Sequence, residues 1–335
     1  MAAALSEPGS WGGRGPVAPP SSPPEGRLSP VSFGGILEIT ARLVRRHAGR
    51  LLALAVLFLL PAWLLHAAAG LQLVTAVLDA LPMPPGPGAV RPPVTFTPEQ
   101  TQRILDASPL LVATSLLVAL AGALGGAAFS DVVERDYRGQ RPSIRHAGAR
   151  ALRRLPAILG ALVLSMLAMA ALMLGGLMVA VLLVALGGVD PGGGGPGVFL
   201  ALVALVAFVG AAIVLGIRWS LGIVIVALEE AGPLRALVRS WRLTAGAAWR
   251  TLGIVVLVTL VVAVIGGLLS EVLGLALADL IFGASTDSSV VVRTFISAFL
   301  SVAFAPVLPL ALAVLYFDQR VRREAFDLSE GSRDR

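Results

Sequence analysis

The chain has 335 residues, 56% of them hydrophobic and only 14% charged, and its mean hydropathy is +0.86. That composition is not that of a soluble globular domain, and no stretch between the apolar runs is long enough to bury a second core, which excludes a soluble catalytic domain and leaves an all-α, polytopic membrane protein. The net charge is +6 and the pI about 11.1; because the basic residues flank apolar runs of membrane length, the expected partners are anionic lipid headgroups, with no nucleic acid.

All 26 basic residues are arginine, and lysine, asparagine and cysteine are absent. Without cysteine there is no disulfide framework, thiolate metal site or thiol nucleophile. The wealth of Ala, Gly, Pro and Val is that of a GC-rich genome, so a bacterial source is expected.

Residues 1–31 read as a disordered cytoplasmic tail, since 17 of the first 30 are Pro, Gly or Ser and the apolar stretch of a signal peptide is missing. After Ser32, residues Phe33, Ile36, Leu37, Ala41 and Val44 recur at helical spacing, while Arg42, Arg45, Arg46 and Arg50 supply charge. Two readings fit: an interfacial helix lying on the membrane, or a basic extension of the first span. Six apolar runs follow at about 51–78, 109–130, 155–186, 198–228, 251–282 and 291–317. Each reaches the about 20 helical residues that cross a hydrocarbon core of ~30 Å. Pro61 in the first run, and Pro306 with Pro309 in the sixth, predict kinks. The six-helix transmembrane domain so read covers 32–318, and a charged cytoplasmic tail occupies 319–335.

Arginine placement predicts the orientation. Segments 1–50, 131–154, 229–250 and 318–335 hold 22 of the 26 arginines, so the positive-inside rule puts both termini in the cytoplasm of a multi-pass plasma-membrane protein. The opposite side has Arg91, Arg103 and Arg293, and only Arg218 lies inside a run. The 79–107 loop is then external, with a short helix opened by Thr97, Pro98 and Gln100 in capping-box spacing. The other two outer loops, GGVDPGGGGPG and GASTDSS, are short.

The segments 37–52 and 237–252 superpose at an offset of 200, matching Leu37 with Leu237, Arg42 with Arg242, Leu43 with Leu243, Ala48 with Ala248 and Arg50 with Arg250. A looser basic segment, 141–154, precedes the third span. One reading is three parallel repeats, each a basic interfacial helix plus a helical hairpin. The other is that any hairpin protein obeying the positive-inside rule places Arg before its odd helices.

Signs of chemistry are few. Of His47, His66 and His146 only His66 lies in a span, so an intramembrane multi-histidine metal site is not expected, and His66 reads as a satisfied or interfacial histidine. Glu229 and Glu230 do not match the paired glutamates of intramembrane prenyl-protein proteases, because Arg235 falls one residue late and no asparagine exists. Glu271 and Asp279 read as solvated residues at an outer helix end. Gly122 and Gly126 form a GxxxG step that permits close helix approach. Arg218 lies 11 residues before Glu229, ~16 Å along a helix. It either snorkels to the inner headgroups beside Trp219 or anchors an anionic headgroup or carboxylate.

The segment EEAGPLRALVRSWRLTAGAAWR, from Glu229, resembles a motif of six-helix bacterial proteins known as the glycerophosphoryl diester phosphodiesterase membrane-domain family. SFGGILEITARLVRRHAGRLL looks like that family's first helix and YFDQRVRREAFDL like its closing segment. The resemblance implies a polytopic α-helical fold and no established activity. The soluble barrel that gives the family its name is missing, so hydrolysis is not implied. In the first segment Gly232 and Pro233 break the helix, after which Leu234, Leu237, Val238, Trp241 and Trp249 can face lipid and Arg235, Arg239, Arg242 and Arg250 meet phosphates. The alternative is a loop that only sets topology.

The expected function is therefore that of a non-enzymatic membrane protein without cofactors or metal. Its basic cytoplasmic elbows engage lipids or a protein partner in lipid or envelope homeostasis. Arg218, Arg235, Arg239, Trp241, Arg242, Trp249, Arg250, Arg42, Arg45 and Arg46 are the candidate contacts. The alternative is a transporter or permease component for a lipid-like or small amphipathic substrate.

Overall fold

The computed structural model describes residues 31–78, 97–188, 194–282 and 286–324, and every regular element among them is an α-helix. The tail at 1–30, most of the 79–107 loop, parts of the two short outer loops and residues 325–335 lie outside the described residues.

Helix α1, Phe33–Phe58, starts where Ser32 caps it: the serine Oγ accepts from the Gly35 N–H at 3.1 Å. The basic segment and the start of the first apolar run form this one helix, non-helical only at His47 (φ −118°, ψ 18°). The chain turns by 54° at Leu59 into α2, Leu60–Leu78. Pro61 explains the break, because it has no N–H for the Leu57 carbonyl. Helix α3, Pro98–Tyr137, opens with the expected capping box of Thr97 and Gln100. It is not a short helix, however. It continues through Pro109 into the second apolar run for 40 residues, about 60 Å. Its first turns hold through the Arg103–Glu99 ion pair at 2.8 Å and the Gln102–Asp106 hydrogen bond at 2.9 Å.

The short α4 (Ile144–Arg153) leads into a hairpin of α5 (Leu155–Gly187) and α6 (Pro196–Trp219). The fourth apolar run breaks at Ser220 and Leu221, then resumes as α7 (Gly222–Leu228). No proline marks that break. A continuous helix would give the Arg218 carbonyl to the Gly222 N–H; instead it accepts from Ser240 Oγ at 2.7 Å and Thr244 Oγ1 at 3.4 Å, both on α8 (Pro233–Thr244). Gly222 admits that neighbour, since a Cβ there would lie 3.0 Å from Leu237 Cδ2. Then come α9 (Ala248–Phe282), α10 (Thr286–Phe304) and α11 (Val307–Glu324), with Pro306 at the α10–α11 break.

Five stretches are long and apolar enough to cross a membrane: Pro98–Tyr137, Leu155–Gly187, Pro196–Leu228, Ala248–Leu280 and Val290–Arg323. The bent pair of α1 and α2 makes a sixth if it counts as one span. Helices α3 and α11 lie inside the bundle, where Phe129, Val132, Leu310, Leu315 and Tyr316 are buried with Leu54 and Ile254. The α5–α6 hairpin is peripheral: only 6% of the most apolar stretch of each helix is buried by protein, against 44% for the last span. The close approach on α3 is not at Gly122, which meets nothing within 4 Å. It is at Gly125, against Leu59, and at Gly126, against Ile223 and Pro309.

Candidate functional site

The basic elements converge at one end of the bundle because buried carboxylates hold them there. Asp131 and Glu134, on the last turns of α3, are 1% and 7% exposed. Arg150 of α4 donates to both, at 2.8 Å to Asp131 and 2.5 Å to Glu134. Arg135, on α3 itself, and Arg138, at its C-cap, take the remaining oxygens at 3.0 and 2.7 Å. Burial acts to lower the Arg150 pKa, but its bonds to the two carboxylates outweigh that and raise it, so α4 is fixed by a permanent charge.

Asp136 serves α1 in the same way. It accepts from Arg46 at 3.2 Å and lies 2.8 Å from His47 Nε2. His47 Nδ1 faces an Arg50 nitrogen at 3.2 Å; because arginine can only donate, the ring hydrogen sits on Nε2 and is given to Asp136.

The two ends of the described chain meet at Asp318 of α11, which is 3% exposed. It accepts from the Val31 N–H at 2.7 Å, from Arg322 Nε at 2.9 Å and from Arg250 Nη1. The Val31 carbonyl in turn accepts from Arg250 at 2.5 Å and Arg322 at 2.8 Å. Nearby, Glu229 accepts from the buried Tyr316 hydroxyl at 2.7 Å and pairs with Arg239. The residue after it, Glu230, has φ +56° and pairs with Arg154. The three segments that carry the family resemblance are thus neighbours in space. Glu229, Arg239 and Arg250 come from the first, and Tyr316 and Asp318 from the closing segment. The backbone just before Ser32 brings in the opening one.

Of the candidate contacts, Arg46, Arg239 and Arg250 therefore have carboxylate partners within the fold, and Arg42 pairs with Glu38 at 2.7 Å on the surface of α1. The side chains of Arg45, Arg235 and Arg242 are exposed with no protein partner among the described residues. On α8 the exposed Leu234, Val238 and Trp241 form one apolar stripe, opposite a face buried through Ala236, Leu237, Ser240 and Leu243. Trp249, at the start of α9, is 84% exposed.

Arg218 differs from the rest. Its guanidinium lies 5.1 Å from the centre of the Trp241 ring, and its Nε and Nη1 are shielded from solvent with no acceptor among the described residues. The helix break at Ser220 brings α8 back to the level of Arg218, so a residue that sequence spacing places ~16 Å deep lies beside an amphipathic helix. Among the described residues no carboxylate reaches it. Arginine donors left without an acceptor are costly, and an anion at this point would satisfy them.

Among the described residues, no group of three His, Asp or Glu is spaced to hold a metal ion. Sequence reasoning missed Asp131, Glu134, Tyr316 and Asp318. Their signal was present as acids and a tyrosine just where apolar runs give way to arginines. No protein-family model, curated protein or solved structure matches this chain.

Proposed function

We propose that this is a non-enzymatic plasma-membrane protein whose arginine-rich end faces the cytoplasm and binds anionic lipid through the α6–α8 elbow, in a lipid or envelope homeostasis role. The observation that carries the reading is Arg218, whose two shielded nitrogens beside the Trp241 ring have no acceptor among the described residues. Around it the α8 stripe of Leu234, Val238 and Trp241 suits acyl chains, and Arg235 and Arg242 suit phosphates. The same reading keeps the chain with the glycerophosphoryl diester phosphodiesterase membrane-domain family. It treats α1, α4 and α8 as the basic helices of three units. In support, buried Ile36, Thr40 and Leu43 on α1 recur at the offset of 200 as buried Ala236, Ser240 and Leu243 on α8.

Adding phosphatidylglycerol to the detergent-solubilised protein tests this by linkage: ligand at a hundredfold its Kd stabilises by about 2.7 kcal/mol. Wild type gains thermal stability, and Arg218→Ala loses most of the gain. Equal gains in both proteins count against the elbow. The second reading, a transporter or permease component for an amphipathic substrate, is favoured by a polar cleft at the other end of the bundle.

A further inference from the structure

Away from the arginine-rich end, α10 packs against both α2 and α9, and between them it floors a cleft of about 470 Å³. Three ionisable side chains that the sequence scatters over some 230 positions line it together: His66, Glu271 and Arg293. Ser270, Thr294 and Ser297 add hydroxyls. A second chamber of about 330 Å³ shares Ser270, Glu271 and Ser297 and runs deeper along α9 and α10. Its walls are mostly apolar, with Val262, Leu300 and Phe304. Each chamber has the volume of a small-molecule site, about 300–1,000 Å³.

Glu271 and Arg293 both lie on helices apolar enough to cross a membrane, where ionisable groups are costly and call for a partner or a purpose. Glu271 and Arg293, which line the cleft, pair with each other, yet their side chains remain 55% and 38% exposed. Gly274 makes that geometry, since a Cβ there would come within 2.5 Å of Arg293 Cγ. The pair is thus open to a third group and is not sealed by neighbouring side chains. Here small residues, Ala67 and Gly70 in the upper chamber and Gly266 and Gly267 in the lower, keep the space open beside it. His66 Nδ1 lies 3.2 Å from Thr114 Oγ1, and its Nε2 has no protein partner among the described residues.

We infer that the cleft binds a zwitterionic phospholipid of the phosphatidylethanolamine type. The phosphate faces Arg293, the ammonium faces Glu271, and the start of an acyl chain enters the lower chamber. An anion without an ammonium group leaves Glu271 facing negative charge, and a plain cation leaves Arg293 facing positive charge, so the two side chains select a headgroup carrying both signs. The site is separate from the α8 elbow and does not depend on it.

Binding of short-chain phosphatidylethanolamine, phosphatidylglycerol and free phosphoethanolamine is measured calorimetrically on the full chain in detergent. It is repeated in an Arg218→Ala background to remove the elbow's contribution. Phosphatidylethanolamine binds tighter than phosphatidylglycerol by about tenfold in that background, and Glu271→Gln brings the two to parity. Ser297→Phe fills the chamber from a position exposed to it while leaving the ion pair in place, and abolishes binding with the thermal midpoint retained. Unchanged binding in Ser297→Phe overturns the proposal, as does equal affinity for the two lipids in the Arg218→Ala background. Phosphoethanolamine binding as tightly as the lipid overturns the acyl-chain assignment.

Discussion

Removing the Asp318 carboxylate leaves Arg250, Arg322 and the Val31 N–H without their shared acceptor in a buried place. Breaking a buried pair from one side costs about 3–5 kcal/mol. Asp318→Ala is therefore expected to lower stability by that order in a denaturant titration of the solubilised protein. The exposed Arg42–Glu38 pair, with side chains 65% and 68% exposed, offers a contrast. Glu38→Ala is expected to change stability by no more than about 0.5 kcal/mol. Glu230 gives a pH signature. The Arg154 guanidinium holds its carboxyl below the ordinary 4.5. A group with a depressed folded pKa stabilises fully above its unfolded pKa and loses that contribution as pH falls through the folded one. Thermal midpoints of wild type and Glu230→Gln should thus differ by a constant amount above about pH 5 and converge only below the ordinary carboxylate value. A difference that disappears near pH 6 would mean that another group carries the effect. The Glu38–Arg42 and Asp318–Arg322 pairs follow from i,i+4 spacing, but the meeting of Asp318 with Val31, 287 positions apart, was not readable from spacing.

Among the elements, the α5–α6 hairpin depends on two glycines. A Cβ on Gly187 would meet the Gly197 Cα at 2.4 Å, and one on Gly197 would meet the Leu183 carbonyl oxygen at 2.7 Å. Backbone atoms cannot step aside as side-chain tips can, so Gly197→Ala is expected to cost about 1–3 kcal/mol. Gly122→Ala, on an open helix face, is expected to be neutral or to stabilise by up to about 1 kcal/mol. Circular-dichroism melts of the two variants check both signs. Helix identity was legible wherever a local cause acts: the Ser32 and Thr97 caps, the Pro61 break and the Pro306 break all have signals within a few residues. Two features had none. The break after Arg218 is caused by hydroxyls 22 and 26 residues away. The length of α3 depends on a proline that the surrounding helix absorbs.

For the whole molecule, composition alone decides the class. Five or six described helices of spanning length, and a hairpin whose sides are largely uncovered by protein, are compatible with a multi-pass protein whose apolar faces a bilayer covers. Orientation is a matter of charge asymmetry, and the absence of cysteine makes it straightforward to measure. In intact cells a membrane-impermeant maleimide is expected to label Gln102→Cys, at the α3 start, and to reach Arg145→Cys, on α4, only after permeabilisation. The reverse pattern would invert the proposed topology. What composition could not show is that many arginines at the basic end are held by the protein's own acids, which among the candidate contacts leaves Arg45, Arg218, Arg235 and Arg242 without a carboxylate among the described residues. Native mass spectrometry of gently extracted protein tests that distinction most directly, by comparing wild type with Arg218→Ala and Arg46→Ala. The account predicts an anionic glycerophospholipid retained at one per chain in wild type and in Arg46→Ala, and lost from Arg218→Ala. Equal retention in all three, or a retained protein partner with no preferred lipid, would contradict it.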